Sequence, residues 1–349
     1  MTKNNLLVTC ADESYVDAAK QVFSGAYFNA GWKGDYMLLS YKIPEEKLKW
    51  FRDKGIIVKK CEPLVDEKMH GEWTSVILIR LYLFTLEFKK WRKIIYIDSD
   101  VIIRASFDDL LKVNGFGAIW KGKSLKGFLV PSKIYKGRKC LINYKRLLKE
   151  ARITYDSNSE VFASGFFVFD TDIKKYNTFL EMDKLLSKYI LYSHNIDEFV
   201  LNTFFYKKWA KLPLFYDVYI IEVFRLLYKF RFIKIDGIVI HFPEEGIFGN
   251  NKPWNKKHPF YKEWKFNFDR ADMINLKKPY DNYRVFTDSE KKYWQKYYRK
   301  LYDFWKIEPL VERLIIRPFL LVISLIGKIG IFLKNKYPFV YYKLKGVNK

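Results

Sequence analysis

Lys93-Ile94-Ile95-Tyr96-Ile97-Asp98-Ser99-Asp100 joins an apolar, β-branched run to two carboxylates separated by one residue. The run predicts a strand buried on both faces of a parallel sheet. Ligands of such sheets bind beyond the carboxyl ends of the strands, so Asp98 and Asp100 are expected at a binding site. Carboxylates suit Mg²⁺ or Mn²⁺, which often completes its shell with substrate phosphates. The stretch therefore predicts a metal site that holds a diphosphate, or else a turn or helix cap.

Strands and helices alternate on both sides of this stretch. Before it, the patterns predict strands at Leu6–Cys10, Asp35–Tyr41 and Ile56–Cys61, and helices up to about Phe28, at Pro44–Lys54 and at Ser75–Phe88. After it, they predict a strand over Val161–Asp170 broken at Ser164-Gly165, helices at Ile173–Ile190 and Ile196–Lys208, and a buried strand at Ile238–Phe242. This alternation predicts an α/β fold with a Rossmann-like, mostly parallel central sheet and flanking helices.

Composition excludes several classes of protein. The chain has 349 residues, 49% of them hydrophobic and 19% aromatic, which is enough for a large core and argues against global disorder. Its three cysteines, Cys10, Cys61 and Cys140, are widely spaced, which argues against a disulfide framework or a zinc site and favours a reducing compartment. The N-terminus lacks the apolar run of a signal peptide, so we expect a cytosolic protein body.

The net charge of +24 is concentrated near the C-terminus, where residues 290–349 hold 14 Lys/Arg and 4 Asp/Glu. Within 314–333 a narrow polar stripe, which includes Arg317 and Lys328, runs along a broad apolar helical face. We therefore expect residues 309–349 to form a helical, basic and aromatic tail that lies on an anionic membrane surface. The alternative is a terminal helix docked on the protein's own core.

A second motif places Ile240-His241-Phe242 before Gly249-Asn250-Asn251-Lys252-Pro253-Trp254. A neutral imidazole at a strand end is an acceptable third ligand for Mn²⁺. Gly249 allows close backbone approach to a diphosphate, and Lys252 supplies the countercharge. A structural role for His241 is the alternative.

With these motifs in hand, the chain resembles the glycosyltransferases of family 8, the group that contains glycogenin and bacterial lipopolysaccharide galactosyl- and glucosyltransferases. The resemblance covers residues 4–265, and the matching motifs occur in the same order as in the family. Its pieces are Ala11-Asp12-x-x-Tyr15, Arg80-Leu81, Tyr96-Ile97-Asp98-Ser99-Asp100, Phe162-Ala163-Ser164-Gly165, Asp197-Glu198 with Leu201-Asn202, and His241-Phe242 with Lys252-Pro253-Trp254. The family usually carries an amide where this chain has Glu198.

The resemblance implies a GT-A type of fold and a role for each matching residue. Asp98, Asp100 and His241 are implied as ligands of Mn²⁺, with Mg²⁺ as the alternative ion. Asp197 and Glu198 are implied as catalytic residues, although a plain helix N-cap is the other interpretation of this pair. The residues implied in nucleotide and donor binding are Cys10, Ala11, Asp12, Tyr15, Arg80, Asp98, Ser99, Ser164, Gly165, Gly249 and Lys252.

We therefore expect the chain to have three segments: a catalytic domain at 1–265, a helical extension at 266–308 and the tail at 309–349. It describes a retaining transferase that moves glucose or galactose from a UDP-sugar to a saccharide or glycolipid in lipopolysaccharide or other cell-surface glycan synthesis. The protein would sit on the cytoplasmic face of a membrane and would not bind nucleic acid. The rival hypotheses are a metal-dependent nucleic-acid-binding protein or nuclease, and a catalytically dead membrane scaffold.

Overall fold

The computed structural model describes residues 4–66, 75–125, 155–156, 158–173, 177–190, 195–220, 222–229, 231, 233–243 and 252–306, with 332, 336 and 337. By its internal contacts the chain divides into two compact units. One comprises 1–246 with 250–295, and the other 247–249 with 296–349. The predicted divisions at 265 and 308 stay predictions.

Ten strands lie in the described part of the chain. They are β1 Leu6–Ala11, β2 Asp35–Ser40, β3 Ile57–Lys60, β4 Lys93–Ile97, β5 Val101–Ile103, β6 Phe116–Ser124, β7 Glu160–Asp170, β8 Ala210–Leu212, β9 Val218–Tyr219 and β10 Val239–His241. The α-helices described there are α1 Val16–Phe28, α2 Glu45–Asp53, α3 Thr178–Tyr189, α4 Ile196–Phe204, α5 Glu222–Lys229, α6 Tyr261–Asp269 and α7 Asp288–Lys306. Strands and α-helices thus alternate from β1 to β3, as the sequence predicts, whereas no α-helix of the described residues lies between β3 and β7.

Seven strands form the main sheet in the order β3-β2-β1-β4-β7-β6-β8. The pairs from β3 to β4 and the pair β6–β8 are parallel, whereas β7 runs antiparallel to both β4 and β6. A smaller sheet has the order β5-β10-β9. The prediction of an α/β fold with a mostly parallel sheet is confirmed.

Two predicted elements differ from the observed ones. Ser75–Phe88 forms short 3₁₀ segments, at Ser75–Ile77, Ile79–Phe84 and Leu86–Lys90, instead of one helix. The Thr85 hydroxyl donates to the carbonyl of Tyr82 (2.8 Å), and such local bonds compete with the α-helical pattern. The predicted break at Ser164-Gly165 is also wrong, because β7 continues through both residues and Gly165 accepts a hydrogen bond from the Asp98 amide (2.8 Å).

Aromatic packing in the core holds the segment that carries Arg80. The ring of Phe84 stacks on that of Phe169 in β7, with 4.8 Å between centroids. Both rings are almost fully buried, and such stacks contribute about 0.5–1.5 kcal/mol beyond the buried area. This contact anchors the segment one turn away from Arg80 against the central sheet. No helix of the described residues is long and apolar enough to cross a membrane.

Candidate active site

The carboxyl end of β4 is the place where the predicted ligands meet. Asp98 and Asp100 flank the turn between β4 and β5, and β5 pairs antiparallel with β10 so that Val101 faces His241. This register brings His241 beside the two carboxylates. Ligand atoms of Asp98, Asp100 and His241 all lie within 4.8 Å of one another. The structure therefore brings together the three side chains that the sequence predicts as metal ligands.

Gly165 leaves the room that this cluster needs. A Cβ atom built at this position would lie 2.7 Å from Oδ2 of Asp98 and would also collide with the imidazole of His241. Since neither neighbour is a flexible chain end, any larger residue would push the two ligands apart. The resemblance implies a donor-binding role for Gly165, and its nearest neighbours in the structure are the predicted metal ligands Asp98 and His241.

Asp217 orients His241 from behind. Nδ1 of His241 lies 3.0 Å from Oδ1 of Asp217, a fully buried carboxylate immediately before β9. This pairing places the proton on Nδ1 and turns Nε2 toward Asp98 and Asp100. Burial opposes the charged imidazolium, but Asp217 and Asp100 together raise the pKa of His241 to about 10.

The donor set fits a divalent cation. Nε2 of His241 is buried and makes no hydrogen bond with the described residues, although Oδ1 of Asp100 lies 3.2 Å away. Two carboxylates and one imidazole are the donor types that Mn²⁺ accepts, and the carboxylate-rich surroundings that favour a proton on His241 favour a cation equally. Oxygen ligands also suit Mg²⁺, so the geometry leaves the identity of the ion open.

Lys252 is paired with Asp100. Its Nζ donates to Oδ2 of Asp100 (2.6 Å) and to the carbonyl of Phe242 (2.7 Å), and the side chain is buried. Burial disfavours the charge of Asp100, but Lys252 and His241 hold its pKa well below the ordinary value. The site thus contains a buried ammonium that is fixed next to one of the predicted metal ligands.

Arg80 links Asp98, one of the predicted metal ligands, to Asp197 of α4. Its guanidinium lies 2.9 Å from Oδ1 of Asp98 and 3.4 Å from Oδ2 of Asp197, and it donates to the carbonyl and the hydroxyl of Ser164 (2.9 and 3.0 Å). The guanidinium also lies over the Tyr96 ring, 4.8 Å from its centroid. Arg80 is 3% exposed, so these partners offset its burial.

Glu198 is held by four hydrogen bonds. Lys121 donates to both carboxylate oxygens (2.7 and 2.5 Å), the amide of Ser164 donates to Oε1 (3.3 Å), and the Asn195 side chain donates to Oε2 (3.1 Å). A carboxylate has about four acceptor positions, so all of them are used. Neighbouring Asp197 accepts from the Ser164 hydroxyl (2.6 Å), and burial raises the pKa of Asp197 although Arg80 opposes the rise.

The N-cap interpretation of Asp197 and Glu198 does not match the geometry. The helix N-cap is Asn195, and Asp197 and Glu198 lie in the first turn of α4 with their side chains directed to Arg80, Ser164 and Lys121. These carboxylates are therefore tied to the site and not to the helix end.

An aromatic pair lies next to Lys252. The rings of Tyr15 and Trp254 meet edge to face with 5.4 Å between centroids. Burial raises the pKa of Tyr15 to about 12, although the charge of Lys252 acts in the opposite direction. Asp12, three residues earlier, accepts from the amide and the hydroxyl of Ser14 (3.0 and 2.6 Å), so it caps the 3₁₀ segment Glu13–Tyr15.

The remaining predicted residues contribute little side-chain surface. Cys10, Ala11 and Ser99 are buried, and the thiol of Cys10 lies 2.9 Å from the Tyr96 hydroxyl. Burial raises the pKa of that thiol to about 12. Any contact of these residues with a nucleotide is therefore expected through the backbone. Gly249 lies outside the described residues.

Sequence reasoning missed Asp217 and Lys121. Asp217 is a single acid within the apolar run Leu214-Phe215-Tyr216-Asp217-Val218, and a charge inside a buried run is a signal that marks a paired or functional group. Lys121 follows the apolar part of β6 and is succeeded by Gly122 and Lys123, so its sequence context offers no comparable signal. Their partners, His241 and Glu198, lie on distant segments, so the pairing itself was not readable from the sequence.

Comparison with known proteins gives a family match over most of the chain. A family model described as Glycosyl transferase family 8 matches residues 6–258. Galactinol synthase 2 of Arabidopsis thaliana is 25% identical over 265 residues, which cover 72% of this chain and 74% of that protein. Galactinol synthase 4 of the same plant is 24% identical over 244 residues, 67% of this chain and 66% of that protein.

Solved structures show a similar fold. The bifunctional glycosyltransferase WbbM has a TM-score of 0.56 at 18% identity, covering 80% of this chain and 52% of WbbM. The galactosyltransferase LgtC, solved with donor and acceptor sugar analogues, has a TM-score of 0.51 at 15% identity, covering 76% of this chain and 95% of LgtC. The chain thus spans about half of WbbM and most of LgtC. These similarities establish a shared mixed α/β fold.

Proposed function

Because the chain belongs to glycosyl transferase family 8, as its motifs predict, we propose that this hexosyltransferase uses a UDP-sugar and Mn²⁺ and retains the anomeric configuration. The observation that carries the proposal is the convergence of Asp98, Asp100 and His241 beside the buried ammonium of Lys252. The GT-A type of nucleotide binding belongs to the same proposal. Galactose or glucose is the proposed sugar, since the named relatives include galactinol synthases and a galactosyltransferase.

The chain's own residues account for binding and charge balance. Tyr15, next to Trp254, offers an aromatic face for the uracil, and Asp12 lies beside it as a hydrogen-bonding partner. Asp98, Asp100 and His241 would hold the cation, which when bound neutralises the diphosphate as it leaves. Lys252 lies next to the same position and supplies a second, preorganised positive charge there.

The two carboxylates of α4 provide negative charge near the sugar. The bond from the anomeric carbon to the phosphate breaks with positive charge developing on the sugar, so fixed carboxylates stabilise that charge. Asp197 and Glu198 are held next to Arg80 and Ser164, the residues proposed to line the donor pocket. The hydrogen bonds that occupy Glu198 favour this electrostatic role over nucleophilic attack.

The proposed acceptor is a saccharide or glycolipid of the cell surface, as in lipopolysaccharide synthesis. The tail at 309–349 lies almost entirely outside the described residues, and its sequence supports a peripheral position on the cytoplasmic face of a membrane. A truncation before Pro309 tests this part. It should lower binding to anionic vesicles and keep UDP-sugar hydrolysis, whereas unchanged binding would favour a tail docked on the protein.

A screen of nucleotide sugars for Mn²⁺-dependent hydrolysis tests the function without any knowledge of the acceptor. We expect a UDP-hexose to be hydrolysed slowly, and the hydrolysis to stop when the ion is chelated. Binding of a UDP-sugar without hydrolysis would favour the scaffold hypothesis. Mn²⁺-dependent cleavage of nucleic acid in the same assay would favour the nuclease hypothesis.

A further inference from the structure

A basic cleft opens in the larger unit, at the end of β5 away from the metal ligands. It has a volume of 1020 Å³ and is lined by residues from the β5, α5, α6 and α7 regions. Asp100 precedes β5 and Arg104 follows it, so the cleft begins about 13 Å from the proposed metal site at 3.3 Å per residue. The cleft is therefore a separate place on the same unit.

Positive charge dominates the lining. Six cationic side chains line the cleft together with the two carboxylates Asp236 and Glu263; the cations are Arg104, Lys229, Arg231, Lys234, Lys257 and Arg284. Arg104 binds Glu263 through two hydrogen bonds (both 2.7 Å), and Asp236 is shared by Arg104 and Arg284 (3.2 and 2.9 Å). Both carboxylates are thus engaged by arginines.

Three of the cations remain available to a ligand. Within the described part of the chain, the side chains of Lys229, Arg231 and Lys257 form no ion pair, and all three are exposed. A concave surface that holds several positive side chains attracts and binds anions. Among anions, phosphate matches the hydrogen-bond donors of Arg and Lys well. Charge alone would fit a free anion, a nucleic acid or a lipid headgroup.

Apolar side chains around the cleft distinguish these ligands. Phe266 lines the cleft and is 62% exposed. Ile233 and Pro259, which are partly exposed, also line it. Exposed apolar side chains next to clustered cations are typical of surfaces that enter the headgroup layer of a membrane. A free anion would make no use of them.

We propose that this cleft binds the phosphate headgroup of an anionic phospholipid and so docks the catalytic unit itself on a membrane surface. The tail at 309–349 does not suit the cleft as an occupant, because it carries eight Lys/Arg and a single acidic residue and has the same sign. Arg104 lies in the cleft, so docking there would hold Asp100 of the proposed metal site about 13 Å from the docked surface. The proposal does not depend on which sugar the site transfers.

Vesicle co-sedimentation of the full chain tests the proposal. The cleft variant carries Lys229→Glu, Arg231→Glu and Lys257→Glu, and a matched control carries Lys184→Glu, Lys188→Glu and Lys208→Glu, which reverse three exposed cations elsewhere. The vesicles are phosphatidylcholine with and without phosphatidylglycerol. We expect the cleft variant to lose affinity for the anionic vesicles on the order of 100-fold, and the control to lose only a few-fold.

Circular dichroism checks whether the variants fold, and Phe266→Asp, a single change on an exposed side chain, gives a second test. It should weaken vesicle binding in high salt as well, because the apolar contribution is not screened. Equal losses in the cleft variant and the control would overturn the proposal. Binding of single-stranded RNA is measured with the same proteins. A cleft variant that loses RNA binding but keeps vesicle binding would mark a nucleic-acid site and overturn the proposal. So would a Phe266→Asp variant that binds vesicles as the wild type does.

Discussion

Nε2 of His241 lies 3.2 Å from Oδ1 of Asp100 because the antiparallel pairing of β5 with β10 sets Val101 opposite His241. The amide of Phe242 also donates to the carbonyl of Asp100 (2.9 Å), which fixes this register at the site itself. The backbone pairing of two strands of the small sheet thus determines the distance between Asp100 and His241.

Asp217 should raise metal affinity without contacting the metal. Asp217→Asn removes the charge that fixes the proton on Nδ1 of His241, and the loss of such a partner typically lowers metal affinity 10- to 100-fold. Calorimetric titration with Mn²⁺ measures the change. Asp236→Asn, which alters a carboxylate paired with Arg104 and Arg284, is the control and should leave Mn²⁺ affinity unchanged. Equal affinity for both variants would contradict the proposed role.

Tyr15 should contribute a base stack. Tyr15→Ala is expected to weaken UDP binding by about 1–3 kcal/mol, whereas Tyr15→Phe keeps the ring and most of the affinity. Trp254 adjoins the Tyr15 ring, so Trp254→Ala is the informative comparison. If only the Trp254 variant loses affinity, Trp254 and not Tyr15 is the platform for the base.

Glu198 should act through its charge and its position. Glu198→Gln keeps the shape of the side chain, so we expect the anomeric outcome to be kept and turnover to fall by no more than about 100-fold. Removal of an essential nucleophile costs far more, on the order of 10⁶-fold in a hydrolase triad. Loss of turnover on that scale with UDP-sugar binding intact would show that Glu198 attacks the sugar.

Lys121 and Glu198 should be coupled in stability. Lys121→Met leaves a buried carboxylate without its cation, which costs about 3 kcal/mol, while the double change Lys121→Met with Glu198→Gln should recover most of that loss. Urea denaturation of the four proteins gives the coupling energy. Additive effects of the two single changes would mean that the pair contributes nothing as a pair.

His258 should make the protein sensitive to acid. Burial and the charge of Arg225 lower the pKa of His258 to about 3, so the folded protein keeps the imidazole neutral while the unfolded chain takes up a proton near pH 6.5. Above pH 6.5 the imidazole is neutral in both states, and the free energy of unfolding does not depend on its protonation. As the pH falls from 6.5 toward 3, protonation of the unfolded chain lowers the free energy of unfolding by about 1.4 kcal/mol per pH unit. The urea midpoint should therefore fall more steeply below pH 6.5 for the wild type than for His258→Phe, and identical slopes would contradict this.

The sequence predicted most of the main sheet because β1, β2 and β4 are short, mostly apolar runs that stand out from the helical patterns between them. It did not predict the 3₁₀ segments around Arg80, where the Arg80 Nε donates to the carbonyl of Ile77 and Thr85 bonds to Tyr82. Those bonds depend on side-chain directions, which periodicity does not encode. The continuity of β7 was missed as well: the strand runs on through Ser164 and Gly165 although its pairing with β6 shifts register between Phe162 and Phe167.

The candidate site divides in the same way. Asp98, Asp100, His241 and Lys252 were predicted because each stands at a strand end or in a recognisable motif. Asp217 and Lys121 were not, because their importance comes from partners on remote strands and helices. Buried charges of this kind become readable only when the fold shows which opposite charge they meet.

Calorimetric titration of UDP, with Mn²⁺ and with chelator, tests the central claim most directly. The wild type should bind UDP much more tightly with Mn²⁺, and Asp100→Ala should remain folded yet lose the metal-dependent part of the affinity. Asp109→Ala, which removes an acid paired with Lys112 and Lys291 away from the site, should behave as the wild type does. Metal-dependent UDP binding that survives in Asp100→Ala, or UDP binding by the wild type that does not respond to Mn²⁺, would contradict the account.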